Sequence, residues 1–218
     1  MKSRKLLLIG GMVLGLLFIG GGVFVWRQRK AAEVVGLPDV PEQKSRGPLV
    51  TPPPAEEMTY EPFTTADGNL SFEYPQAWVR TEIKNLETVL PKNFIDKYEL
   101  AMPLILSDPR GAQATLSAYQ FEKGITLDAA MESFRADLVA MGQPYNEVSR
   151  QMVGDVLVVD STVDAGQGVT VKVRDILFLV PGPDKDTVYD LCFNARQENW
   201  GDYQSIFDHV QTSAKLSL

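Results

Sequence analysis

Hydrophobic positions along the chain follow three regimes. The first is an unbroken apolar run, Leu6 to Trp26 (LLLIGGMVLGLLFIGGGVFVW), with Lys2, Arg4 and Lys5 ahead of it and Arg27, Arg29 and Lys30 behind it. A helix rises about 1.5 Å per residue, so this run would span roughly 32 Å, matching a bilayer core of about 30 Å. It predicts a single transmembrane helix after a short tail, residues 1–5. The second regime, residues 27–62, carries few large apolar residues and is punctuated by Pro38, Pro41, Pro48, Pro52, Pro53, Pro54 and Pro62. Proline fixes φ and removes amide donors, so a semi-stiff linker is expected there, with no helix or central strand.

The third regime, residues 63–218, reads as one globular domain. Beyond the turn pair Asp67-Gly68, Leu70, Phe72 and Tyr74 alternate with Asn69, Ser71 and Glu73, the mark of a half-buried strand. Pro75 ends it, and Trp78 to Ile83 forms a short second strand. Leu100–Leu106 and Ala112–Phe121 follow as strands, with a short helix before them around Asn93 to Tyr98. Helical spacing then governs Leu127, Ala130, Met131, Phe134, Leu138 and Met141. Thr126 stands as N-cap, Asp128 complements the dipole, and Gly142 and Pro144 stop the helix. Val153–Val163, Val169–Val180 and Thr187–Ala195 read as strands whose short connections make them antiparallel neighbours. A closing helix, Trp200 to Val210, presents Tyr203, Ile206, Phe207 and Val210. The expected fold class is α+β, an antiparallel β-sheet flanked by helices in an α/β/α sandwich, preceded by the transmembrane helix.

Charge adds a division of labour. The net charge is −7, and residues 1–50 hold eight Lys/Arg against Glu33, Asp39 and Glu42, which leaves −12 on the remainder. So acidic a domain is a poor match for nucleic acid or anionic lipid, and a charged protein partner should be cationic. Positive charges flanking Leu6–Trp26 are nearly balanced, so orientation rests on the short tail and the Pro-rich spacer. These favour an extracytoplasmic domain, in the periplasm or at the cell surface of a bacterium. The alternative is a cytoplasm-facing domain with a soluble partner. Arg27, Arg29 and Lys30 argue for an uncleaved anchor over a signal peptide cut near Ala31-Ala32. Gly11 and Gly15 form a small-xxx-small pair suited to weak self-association.

Candidate chemistry is sparse. The sequence holds one cysteine, Cys192, and one histidine, His209. No G-x-S-x-G elbow accompanies them, and two such residues cannot make a structural zinc site. Asp184, Asp186 and Asp190 fail the calcium-loop pattern, with Tyr189 where glycine is required and Ala195 where glutamate is required. Asp155, Asp160, Asp164 and Asp175 alternate with Val and Leu, as the solvated face of strands would. No catalytic, cofactor-binding or metal residue is therefore expected, and no cofactor. The chain reads as a non-enzyme, with a hydrolase using carboxylates of the acidic domain as the alternative.

Two segments carry a resemblance. Asp67-Gly68-Asn69-Leu70-Ser71-Phe72-Glu73-Tyr74-Pro75-Gln76-Ala77-Trp78 resembles the opening of the PsbP-like family, a short strand ending in Tyr-Pro with Trp soon after. Tyr189-Asp190-Leu191-Cys192-Phe193-Asn194-Ala195, followed by Trp200, Tyr203 and Phe207, is similar to that family's close. The resemblance spans residues 63–215 and departs at Thr212-Ser213-Ala214-Lys215, where family members often carry Ser-Phe. It implies an antiparallel sheet sandwiched by helices and a non-enzymatic binding or assembly role, with no functional residue to transfer. The Tyr74-Pro75-x-x-Trp78 corner reads as core structure. The expectation is a membrane-tethered binding or assembly domain. Protease added to intact cells or spheroplasts should then digest the globular domain. Complete protection would place it in the cytoplasm.

Overall fold

The computed structural model describes residues 52–217, apart from 82, 84, 89, 141–144 and 166–167. The Leu6–Trp26 run, its Gly11 and Gly15, and most of the Pro-rich stretch lie outside the described residues. Among the described helices none is long and apolar enough to cross a membrane.

Ten strands and three helices follow in chain order: β1 (Tyr60–Thr64), β2 (Leu70–Pro75), β3 (Val79–Thr81), α1 (Lys92–Tyr98), β4 (Ala101–Ser107), β5 (Gln113–Glu122), α2 (Leu127–Ala140), β6 (Asn146–Val153), β7 (Val156–Asp164), β8 (Thr170–Val180), β9 (Lys185–Arg196), α3 (Trp200–Ser213) and β10 (Lys215–Leu216). These counts are of the described residues. Seven strands form one sheet in the order β3-β4-β5-β9-β8-β7-β6, and three form a smaller one, β1-β2-β10. Every pairing is antiparallel. The result is the mostly antiparallel α+β domain expected from the hydrophobic pattern.

Chain order explains the sheet order. After β5 the chain crosses one face of the sheet as α2 and re-enters at the far edge as β6. It then returns by three hairpins to place β9 beside β5. One face of the large sheet packs Leu116, Ile176, Leu191 and Phe193 against α3 and the small sheet, whose Phe72 and Tyr74 join the same core. The other packs Leu157, Leu177 and Val188 against Phe94 of α1 and Met131 and Phe134 of α2.

The predicted helix stripes are realised. Leu127, Ala130, Met131 and Phe134 are buried, and the Thr126 hydroxyl caps α2 by accepting the Ala129 amide at 3.2 Å. Met141, Gly142 and Pro144 fall outside the described residues. On α3, Trp200, Tyr203, Ile206, Phe207 and Val210 are all buried. The two segments that carry the family resemblance meet, because the Tyr189 hydroxyl donates to Asp67. Asp67 also accepts from Thr65 at 2.6 Å and from the Asn69 side chain at 2.9 Å. Tyr74 and Trp78 are core residues, and Trp78 meets Phe207 edge-on at 6.2 Å.

Three details differ from expectation. Val153–Val163 is not one strand: Val153 ends β6 and pairs with Val156 across Gly154-Asp155. Gly154 has φ +60° while Asp155 does not share a positive φ, the pattern of a II′ hairpin turn with glycine first. β6 escaped detection because its side chains are mostly exposed, which leaves no period-two signal. Regular structure also begins before Phe63, since β1 starts at Tyr60 and includes Pro62. That proline is tolerated because β1 is an edge strand. The third, Trp78–Ile83, contracts to β3, three exposed residues.

Phe207 is wholly buried and meets Trp78, Phe193, Trp200 and Tyr203. Phe207→Ala should cost about 3–5 kcal/mol in urea unfolding, whereas Val148→Thr on exposed β6 should stay within about 0.5 kcal/mol. Equal effects would contradict the layer assignment.

Candidate functional site

α2 does not seal the sheet beneath it. Between them lies a cavity of about 90 Å³. Its apolar side comes from Phe94, Leu100 and Met102 together with Met131, Phe134 and Leu138 of α2. Its opposite side is a polar floor built by strand register. On β5, β9 and β8, Thr115 stands opposite Cys192, which stands opposite Asp175. One rung along, Ser117 faces Asp190. In the other direction Gln113 faces Asn194, then Val173 and, across β7, Ser161. Asp175 and Asp190 are diagonal neighbours on adjacent strands, so their Cα atoms stand roughly 7–8 Å apart.

Two clamps hold the roof. Asp137 of α2 accepts the Tyr98 hydroxyl at 2.5 Å and the Lys97 ammonium at 2.7 Å, both from α1. Near the other end of α2, Asp128 and Glu132 take the Arg150 guanidinium of β6 at 3.2 and 2.7 Å, and Glu147 shares it at 2.7 Å. The Tyr119 and Phe134 rings pack with centroids 4.3 Å apart at the cavity wall.

The floor is electrostatically unusual. Asp190, Asn194, Ser161 and Asp175 are all more than nine-tenths buried. Asp190 Oδ1 and Asn194 Oδ1 have no hydrogen-bond partner among the described residues, and the Tyr145 hydroxyl and Ser161 Oγ have only each other within reach. A buried polar group left unmatched costs about 1–3 kcal/mol. No Lys or Arg is among the described residues that line the cavity. Burial therefore pushes the Asp190 carboxyl well above the usual carboxylate range, with the Asp175 charge adding to it. Burial likewise lifts Asp175 to about 6, although the Cys192 thiol, which donates to it, pulls the other way. The Cys192 thiol is itself pushed up by burial and by both carboxylates, which makes it a poor nucleophile.

Asp175 corrects the expectation of solvated strand carboxylates. Its same-face neighbours, Val173 and Leu177, place it on an apolar face, and it is buried. Asp160 is half-buried and paired with Arg174 at 2.8 Å, while Asp155 is exposed in the β6–β7 turn and Asp164 at the end of β7. In the sequence Asp190 stands out only through the failed calcium-loop pattern, and Asn194 not at all as a site residue. The available signal was that they share one face of β9 with Val188 and Cys192, while Tyr189, Leu191, Phe193 and Ala195 line the other. A strand apolar on both faces is central, so its polar residues have no water to face.

His209 lies away from the cavity, stacked on Tyr60 at 3.7 Å and 3.0 Å from a Glu73 oxygen. Asp186 is a turn anchor, accepting the Gly124 and Gly182 amides at 2.7 and 3.2 Å. Among the described residues no group of three or more His, Cys, Asp or Glu is placed to hold a metal ion.

No protein-family model matches the chain, and no curated protein does. Among solved structures it is similar to the cyanobacterial PsbP of Synechocystis sp. PCC 6803, with TM-score 0.46 and 14% identity over 73% of this chain and 94% of that one. It is also similar to the Ran-binding protein Mog1p of Saccharomyces cerevisiae, with TM-score 0.45 and 10% identity over 73% and 96%. LpqN of Mycobacterium tuberculosis, involved in cell envelope biogenesis, gives TM-score 0.44 and 12% identity over 74% and 92%. At such identities a likeness concerns shape alone, and no binding activity passes to this chain through it.

The two raised carboxyls make a signed prediction. The folded state holds protons that the unfolded state releases near pH 4, so stability is fullest below that point and falls as pH rises through 6. Asp175→Asn should shrink the loss between pH 4 and pH 8 by on the order of 2 kcal/mol, at about 1.4 kcal/mol per pKa unit. Urea titrations across that range check it, and parallel curves would contradict it.

Proposed function

We propose that the chain is a membrane-tethered, non-catalytic binding domain whose ligand site is the cavity beneath α2. The observation that carries this is the polar floor: the unmatched Asp190 Oδ1 and Asn194 Oδ1, with the Tyr145 and Ser161 hydroxyls beside them, converge on a cavity roofed by apolar side chains. Convergent polar groups in a mostly apolar concavity are the usual anatomy of a small-molecule site. A ligand that satisfies those atoms would offset the penalty of burying them unmatched. The clamps on α1 and α2 keep the roof in place, so the site is preformed. Tethering through Leu6–Trp26, an extracytoplasmic position and a cationic protein partner on the acidic surface belong to the same proposal, supported by sequence alone.

A second reading draws on the same two residues. One carboxyl held protonated beside another that ionises near pH 6 suits acid–base chemistry, which favours a hydrolase using Asp175 and Asp190. The volume limits its substrates. An engineered cavity of about 150 Å³ holds benzene, so 90 Å³ admits nothing as large as a disaccharide.

Methionine methyls report on the site directly. Met102 and Met131 line the cavity, whereas Met58 packs in the opposite core and Met152 is exposed. In the full chain, solubilised in detergent and titrated with a fragment library, binders should shift the Met102 and Met131 methyls and leave Met58 and Met152 in place. No fragment acting on the first pair would overturn the binding reading. A fragment converted to product, with conversion lost in Asp190→Asn, would establish the hydrolase reading instead.

A further inference from the structure

The unmatched groups specify the ligand's chemistry as well as its location. Of these four polar atoms, Asn194 Oδ1 and, once its carboxyl is ionised, Asp190 Oδ1 are unpartnered acceptors that cannot donate. The other two are hydroxyls, which serve either role. The floor thus has a surplus of acceptors, carries two carboxyl groups, and has no basic side chain among its described lining residues. Opposite it stand Met131, Phe134 and Leu138, which offer only apolar surface. We propose that the cavity takes a small primary ammonium ion on a short apolar body, its head received by Asp190 and Asn194 beside Asp175 and its chain lying under α2.

This rests on the binding reading above and names its ligand class. Size agrees: a space smaller than the roughly 150 Å³ that accepts benzene suits a body of about four or five non-hydrogen atoms. An ammonium supplies three donors and no acceptor, complementary to a floor of acceptors. A neutral alcohol would satisfy one atom, and a carboxylate would meet like charge. The titratable groups facing the site are Asp175 from β8, Asp190 and Cys192 from β9, Tyr119 from β5 and Tyr145 ahead of β6, with Asp160 acting on Asp175 through the sheet. The described lining residues of α1 and α2 contribute no charge. A cation entering this set favours the ionised carboxylates and expels a proton, so affinity rises with pH until the amine itself deprotonates.

The test uses the full chain in detergent, methionine-labelled, with three four-carbon probes: n-butylammonium, 1-butanol and butyrate. At pH 7.5, n-butylammonium should shift the Met102 and Met131 methyls at a concentration at least about ten-fold below that needed for 1-butanol, with no response to butyrate. Its affinity should rise several-fold between pH 5.5 and pH 8. Asp190→Asn should erase the preference for the cation while 1-butanol still binds. Asp175→Asn, run in parallel, supplies the same readout should the first variant not fold. Equal or tighter binding of 1-butanol overturns the inference and leaves the binding reading standing. Silence of both methyls toward all three probes also overturns it, and the fragment titration then decides the broader reading separately.

Discussion

The structure depends on a central strand buried on both faces. From Val188 to Ala195 every residue of β9 is buried, with β5 on one side and β8 on the other. Tyr189, Leu191 and Phe193 supply the core that α3 closes, while Val188 belongs to the core that α2 closes. A two-faced strand lets a domain of this size build two cores around a single sheet. It also removes water from any polar side chain it carries, and Asp190 and Asn194 are such side chains. Removing water from polar groups costs free energy, which a fold recovers only by matching them with partners.

Elsewhere the match is made. Asp108 is buried, accepts the Tyr203 hydroxyl at 2.6 Å and is paired with Arg110 at 2.9 Å. Asp186 is buried and accepts two backbone amides. Asp67, despite the opposing effect of burial, is held below the usual range by hydrogen bonds from Thr65, Tyr189 and Asn69. Against those examples the β9 floor stands apart: Asp190 is shifted in the opposite direction, and Asn194 Oδ1 beside it lacks a partner among the described residues. Matched carboxylates stabilise turns and corners, whereas Asp190 Oδ1 beneath the clamped helix α2 has no such match among the described residues.

Much of the fold was legible because strong periodicity and burial coincide. The α2 and α3 stripes, the β7–β8–β9 meander and the Tyr74–Trp78 corner all follow from where apolar residues recur. β6 was not legible, since an exposed edge strand need not alternate, and the Gly154-Asp155 turn was absorbed into its neighbour. The site was misread for a related reason. Asp175 follows Lys172 and Arg174 in the chain and reads with them as a solvated face, yet its register partners across the sheet are Cys192 and Val159. The period-two neighbours Val173 and Leu177 already put it on the apolar face, and register adds that this face is covered. The anchor run is a matter of sequence alone.

Burial favours an uncharged Asp190 beneath α2, where no Lys or Arg is among the described lining residues. Infrared spectroscopy of the carboxyl carbonyl stretch, followed through a pH titration of the full chain and of Asp190→Asn, tests it most directly. A protonated-carboxyl band that persists at pH 7 and is missing from the variant is the predicted result. Complete loss of protonated-carboxyl signal by about pH 5 in the unsubstituted protein would contradict it.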